Sequence, residues 1–401
     1  MSLNDTPRSD RIHIGLFGRR NAGKSSLINA VTGQNLSIVS PIEGTTTDPV
    51  YKSMELLPLG PVVMIDTPGF DDYGELGQQR VKKARQAMNK TDLALLVVDG
   101  QSGLSEDDRA IRSLLYEKQI PFLTVMTKCD LLDPVPAEPD DNTIWVSTAT
   151  GYHIHELKER LARLQPEDAP RPLVRDLVAP HDFVVLVVPI DKAAPKGRLI
   201  LPQQQTIREL LDCGAVSIVV RDHELKQTLL QIGTRPRLVI TDSQAFAQVS
   251  AETPPDILLT SFSILFARSK GSLESAVAGV LALNQIQEGD KILIAEGCTH
   301  HRQCDDIGTV KLPRWINSYT GKQPEYVFTS GTEYPEDLSP YRLIVHCGGC
   351  MVNGREMKYR NAQAKDQGVP ITNYGIVIAQ TQGILRRSLE VFPDLAALLD
   401  E

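Results

Sequence analysis

Short apolar runs alternate along the chain with longer segments of mixed polarity, the rhythm of strands separated by helices. In the first part the runs Ile12–Phe17, Val62–Ile65, Leu93–Val98, Phe122–Met126 and Ile144–Val146 predict strands, and Ser26–Val31 and Leu157–Leu164 predict helices. Gln165–Pro172 is polar and proline-rich, the clearest connector in the sequence. Beyond it Phe183–Ile190, Val216–Val220, Leu238–Ile240 and Ile257–Thr260 read as strands, with helices at Gln203–Leu211, Glu224–Ile232 and Gln244–Val249 between them. That alternation predicts a second, smaller parallel-sheet unit. The last part predicts a helix at Leu273–Leu283, strands at Lys291–Ala295, Tyr326–Phe328 and Tyr341–Val345, and a helix at Arg355–Gln367. A turn at Ile371–Gly375 and a closing helix at Ile384–Leu399 follow. The expected class is α/β in three domains, at 1–168, 173–268 and 269–401.

The first strand runs into Gly18-Arg19-Arg20-Asn21-Ala22-Gly23-Lys24-Ser25, a G-x-x-x-x-G-K-S loop that opens a helix at Ser26. Glycines there let backbone N–H groups wrap a phosphate at a helix N-terminus. Lys24 is placed to reach the β- and γ-phosphates and Ser25 to ligate Mg2+, with Gly18, Asn21, Ala22, Gly23 and Ser26 completing the cradle. Thr46, in the polar loop Gly44–Asp48, can complete the magnesium shell. Asp66 suits an outer magnesium contact, and the N–H of Gly69 can approach the γ-phosphate. Thr127-Lys128-Cys129-Asp130 ends a strand, and a carboxylate at Asp130 accepts two hydrogen bonds that guanine offers and adenine does not. Ser147-Thr148-Ala149 closes the base site. Each element alone is weak; arriving in this order they are strong.

Roughly over residues 11–165 the chain resembles the translation-factor-related small GTPases, above all the tRNA-modification and Era-like branch, with which it shares the asparagine of the phosphate loop. The resemblance implies GTP binding, slow hydrolysis and stimulation by K+ held in part by Asn21. Two positions depart from it. Thr127 stands where the base-reading motif normally begins with Asn, which points to weakened guanine selectivity or affinity. Phe70 stands where Ras-like proteins place a water-orienting Gln, so hydrolysis must rely on metal ions, loop ordering or a partner.

Composition narrows the setting. The 401 residues, 41% hydrophobic and 23% charged, suit two or three soluble domains. A formal net charge of −8 argues against nucleic acid as the main partner. No apolar run approaches the ~18–20 residues that span a bilayer, so neither secretion nor membrane insertion is expected. Six unevenly spread cysteines are not a disulfide framework and favour a reducing cytoplasm. In the middle part Asp191, Lys192, Lys196 and Arg198 read as a solvated loop and Cys213 as an ordinary thiol. With no ligand signal of its own, that part is a candidate for dimerisation.

The distinctive chemistry sits later. Cys347-Gly348-Gly349-Cys350 follows a buried strand through His346, and Glu296-Gly297-Cys298-Thr299-His300-His301-Arg302-Gln303-Cys304 follows another. In a parallel sheet both would lie past the carboxyl ends of strands, where open α/β sheets assemble ligand sites. Cys298, Cys347 and Cys350 could then converge on one centre. Zinc as Cys3His, an iron–sulfur cluster and a dithiol redox pair all remain open on the spacing alone.

Cys298-Thr299-His300-His301 with His346-Cys347-x-x-Cys350 downstream, behind a GTPase of this type, resembles the [FeFe]-hydrogenase H-cluster maturation GTPases, the HydF family, across the whole chain. The resemblance implies a GTPase domain, a dimerisation domain and a cluster-binding domain. It also implies a [4Fe–4S] cluster on Cys298, Cys347 and Cys350, with the fourth iron on an exchangeable ligand. His300 is the first candidate for that ligand and His346 the second. Cys304 is a rival that would close the site, with an outer role preferred, and His301 reads as a hydrogen-bonding neighbour. The implied function is a scaffold and carrier that holds a transient di-iron precursor and transfers it to apo-hydrogenase, with radical-SAM maturases as partners and a homodimer or higher assembly. The competing reading is an RNA-modification or ribosome-associated GTPase with structural zinc.

Overall fold

The computed structural model describes residues 7–33, 48–69, 75–164, 171–190, 199–297, 306–331 and 333–400. They fall into two compact units, within 1–169 and 170–401. The first unit is built on a six-stranded sheet of β1 (Ile12–Phe17), β2 (Val50–Leu56), β3 (Gly60–Asp66), β4 (Leu93–Asp99), β5 (Phe122–Thr127) and β6 (Thr143–Trp145). The order is β2-β3-β1-β4-β5-β6, parallel throughout except for β2 against β3. Four of the five predicted apolar strands are the central ones, β6 lying at the edge: β4 packs Leu95 and Val97 into the core on one face of the sheet and Ala94 and Leu96 into that on the other. A strand covered on both faces has no polar side to show, which is why these runs are continuous rather than alternating. At the edge, β2 has only Leu56 buried, and its polar residues hide it from a search for apolar runs.

In the second unit β7 (Phe183–Val187), β8 (Val216–Val220), β9 (Leu238–Thr241) and β10 (Leu258–Ser261) form a parallel sheet in the order β10-β9-β7-β8. A second parallel sheet, ordered β12-β11-β13-β14, contains β11 (Lys291–Glu296), β12 (Glu325–Ser330), β13 (Leu343–His346) and β14 (Ile371–Asn373). The two sheets share one core. Phe246, Ile264 and Ala267 from the first pack in the same cluster as Val277, Ile294, Ile376 and Val377 around the second. Gly375 makes the close approach possible, because a Cβ there would stand 1.9 Å from Ser263 Oγ.

Three local expectations are corrected. The strand from Phe183 stops at Val187. Ile371–Gly375 is not a turn: Ile371–Asn373 is an edge strand on β13, and the helix Tyr374–Thr381 follows, its start capped by Asn373 Oδ1 accepting from Ile376 N–H at 2.9 Å. Helix Leu273–Val280 pins that strand, with Thr372 Oγ1 donating to Ala276 O at 2.8 Å. The closing helix is broken into Leu385–Ser388 and Pro393–Ala397, because Pro393 can begin a helix but cannot continue one. Among the described residues no helix is long and apolar enough to cross a membrane.

Candidate functional site

The phosphate loop joins β1 to the helix Lys24–Thr32. Gly18 lies with φ 145 against β4, where a Cβ would stand 2.1 Å from Val97 O, so no larger residue fits. Gly23 (φ 94) is the N-cap, and Asn21 is exposed with φ 60. Lys24 is folded over the loop, its Nζ donating to Gly18 O at 2.9 Å and Arg19 O at 2.7 Å. Ser25 Oγ donates to Asp66 Oδ2 at 2.9 Å, so the fold brings together two of the residues expected around magnesium. Burial pushes the Asp66 carboxyl up, against the pull of the Ser25 hydrogen bond and the Lys24 charge. A hydroxyl beside a desolvated carboxylate is a donor pair that suits a hard divalent cation. Gly69 lies just past β3; Thr46 and Phe70 lie outside the described residues.

On the base side, Thr127 is 1% exposed, and its hydroxyl lies 2.8 Å from Ala22 O and 3.0 Å from Val98 O. The shorter side chain at this position thus still ties the end of β5 to the phosphate loop. Lys128 (φ 59) pairs with Asp99 at 2.6 Å, a partner the sequence did not suggest, and Asp130 is exposed. Ser147 is fully buried, and its Oγ accepts from the N–H groups of Ala149 and Thr150 at 3.2 and 3.1 Å. It shapes the loop that presents Thr148 and Ala149. Thr127→Val keeps the volume but strips two buried carbonyls of their shared donor. Guanine-nucleotide affinity should fall about tenfold, as read by titration of a fluorescent GDP analogue against the parent chain.

The thiol site is built where β11 and β13 end side by side, in register at Ala295 and His346. Cys347 N–H continues the ladder to Ala295 O at 2.9 Å. Its Sγ accepts from Gly297 N–H at 3.0 Å and from Gly349 N–H at 3.4 Å, Gly349 having the left-handed φ of 62 that turns the loop. Burial pushes the Cys347 thiol up, while those two N–H groups favour the thiolate. Both Cys347 and Cys350 are half-buried free thiols. Cys298, His300, His301 and Cys304 lie outside the described residues, and among the described residues no group of three or more His, Cys, Asp or Glu side chains could hold a metal ion. The described donors nevertheless suit a soft metal centre, since a thiol at a strand end already receives two backbone N–H groups of the kind that tune cluster-bound sulfur.

His346 has a different place from the one expected. It is 1% exposed, Arg360 Nη1 stands 2.8 Å from its Nε2, and its Nδ1 is 2.7 Å from Cys347 O. An arginine can only donate; Nε2 is therefore the acceptor, and the proton sits on Nδ1 and is given to the Cys347 carbonyl. Burial, then the Arg360 charge, pushes the pKa of His346 down to about 3. In this arrangement neither ring nitrogen has a lone pair free for a metal, so the structure does not offer His346 as a fourth ligand.

Arg360 is the residue that sequence reading missed. It is 1% exposed, donates to Glu356 Oε1 at 2.9 Å and Gly331 O at 3.0 Å, and lies over the Tyr334 ring at 4.7 Å. Its only signal was an acidic and a basic residue one helical turn apart, a pattern usual on solvated faces. Arg360→Met should cost about 3–5 kcal/mol by leaving the buried Glu356 carboxylate unpaired, measured as a lower midpoint in urea unfolding of the metal-free chain.

Comparison with known proteins follows the same division. Residues 173–271 match the hydrogen maturase F dimerization domain and 274–391 the hydrogen maturase F tetramerization domain, together more than half of the chain. Residues 13–128 match the 50S ribosome-binding GTPase model. The tRNA modification GTPase MnmE of Nitrosomonas eutropha is 34% identical over 156 residues, covering 38% of this chain and 34% of that protein. GTPase Era of Nostoc sp. is 31% identical over 186 residues, 43% of this chain and 57% of that one. The chain thus spans about a third of the length of the MnmE relatives it matches. Among solved structures, an Aquifex aeolicus Era variant bound to GDP.AlF4- aligns at 20% identity and a TM-score of 0.34, over 55% of this chain and 98% of that one. With its GTPase domain preceding the dimerization and tetramerization domains, the chain belongs to the hydrogen maturase F family.

Proposed function

We propose that the chain is a GTP-regulated iron–sulfur scaffold that holds a di-iron precursor of the [FeFe]-hydrogenase active site and hands it to the apo-hydrogenase. Cys298, Cys347 and Cys350 are the ligands of a [4Fe–4S] cluster in this reading. What supports it most is the bond from Gly297 N–H to Cys347 Sγ at 3.0 Å, because the residue after Gly297 is Cys298. When bound, the cluster supplies an electron-accepting centre with one iron open to an exchangeable ligand. The chain's own residues prepare for it: Gly297 and Gly349 N–H groups stabilise sulfur-borne charge, while His346, fixed by Arg360, donates to the Cys347 carbonyl. With both its ring nitrogens engaged, His346 serves the loop, and His300 is the first candidate for the exchangeable position. Cys304 takes an outer role.

In the GTPase domain, Lys24 and Gly69 act on the γ-phosphate, Ser25 and Thr46 hold Mg2+ with Asp66 behind them, and Asn21 contributes to a K+ site. Thr127, Lys128, Asp130 and the Ser147–Ala149 loop receive the guanine. Hydrolysis is slow and governs partner exchange rather than cluster chemistry. The partners are apo-hydrogenase, radical-SAM maturases and further copies of the chain, all in the cytoplasm, with no role for membrane or nucleic acid. Anaerobic purification tests the reading. A brown chain with iron and sulfide in about equal amounts supports it, and a colourless, zinc-loaded chain would overturn it in favour of an RNA-modification or ribosome-associated GTPase.

A further inference from the structure

Lys270 directly follows the helix Phe262–Ser269, and its own N–H closes that helix on Phe266 O. Its side chain reaches a loop 79 residues further along the sequence. There Nζ donates to Gly349 O, and at 2.6 Å to Val352 O. These are the two ends of one turn, since Val352 N–H returns to Gly349 O at 3.0 Å, and Cys350 lies inside it. The same turn packs back on the neighbouring strand end, where a Cβ at Gly297 would stand 2.2 Å from Val352 Cγ2. A single half-buried ammonium therefore fixes the turn that carries Cys350, and the turn in turn rests on the residue that precedes Cys298.

Two bonds from a charged donor to one loop exceed what chain closure requires, because a neutral side chain could satisfy either carbonyl. A lysine adds a fixed positive charge beside a segment that is to carry thiolate sulfur. The geometry points to Lys270 as a positioning residue of the Cys347–Cys350 loop and as a fixed cation that favours the more negative, reduced form of a centre bound there. This inference rests on the cluster reading above for its second half only; the positioning half concerns the metal-free chain.

The test uses the full chain with Lys270→Met, which keeps the length and loses the charge, and Lys270→Arg, which keeps the charge. In the metal-free chain, amide hydrogen exchange of residues 347–353 should be about tenfold faster in Lys270→Met, the loss expected for one charge-assisted hydrogen bond. Exchange in the GTPase domain should not change. In the anaerobically reconstituted chain, the midpoint potential followed by electron paramagnetic resonance should move to a more negative value in Lys270→Met, with Lys270→Arg staying near the parent. A purely structural clip would not move the potential of a chain that still binds its full iron. Unchanged exchange overturns the positioning role, and an unchanged potential at full iron loading overturns the electrostatic one. A parent chain that takes up no iron sinks the cluster reading instead, while the exchange measurement still decides the role of Lys270 in the loop.

Discussion

Cys347→Ser should strip the chain of its iron while leaving GDP and GTP binding at the level of the parent. Serine is nearly isosteric and can still accept from Gly297 and Gly349, so the loop between Cys347 and Cys350 keeps its turn. What it cannot do is become an anion at neutral pH, whereas a thiol can be deprotonated by the metal it binds. Changes in groups that merely surround a metal ligand cost ~10–100-fold in affinity, so loss of the ligand itself should cost at least about 100-fold. Iron and acid-labile sulfide per chain after anaerobic reconstitution give the answer, with nucleotide titration as the control for folding. Retention of a full complement of iron in this variant would remove Cys347 from the ligand set and with it the main support for the scaffold reading.

Lys24→Ala should abolish GTP hydrolysis and leave iron content unchanged. In the present arrangement the Lys24 ammonium is satisfied by Gly18 and Arg19 carbonyls. A bound nucleotide must therefore draw it off two hydrogen bonds, and the γ-phosphate, a full anion, is a stronger partner than either. Losing one such stabilising donor costs ~10^2–10^3 in turnover, enough to put an already slow hydrolysis below detection by phosphate release. Every contact named for Lys24 lies within residues 1–169, and the thiol loop lies within 170–401. If iron content collapsed in a variant that still unfolds cooperatively, the assumption that the two functions are housed independently would be wrong.

The phosphate loop was legible because its chemistry leaves so little choice. Gly18 must be glycine to fit against Val97 O, and the spacing to Lys24 follows from the loop that wraps a phosphate. The thiol pair was legible for a similar reason, since a strand that runs straight into Cys347 in a parallel sheet delivers the sulfur to the side where ligands bind. Three features resisted. The family resemblance made His346 the second candidate for the exchangeable ligand, and no local pattern says that Arg360, one strand-to-helix step later, occupies its Nε2. Lys270 stands just past the expected domain boundary at 268/269 with no ligand pattern around it, and only the tertiary fold brings its amine to Val352. Ile371–Asn373 looked like a turn because the four residues between Pro370 and Gly375 are too few for periodicity; its strand character comes from pairing with β13.

The core shared by the two sheets of the second unit has a mechanical meaning. Ile264 and Ala267 on one side and Ile376 and Val377 on the other are packed in a single cluster, and Gly375 meets Ser263 with no room for a methyl group between them. Among the described residues that seam is close-packed. The segment matching a dimerization domain and the segment bearing Cys347 and Cys350 must turn as one solid bracket, so the pairing of subunits would also settle the direction in which the thiols face.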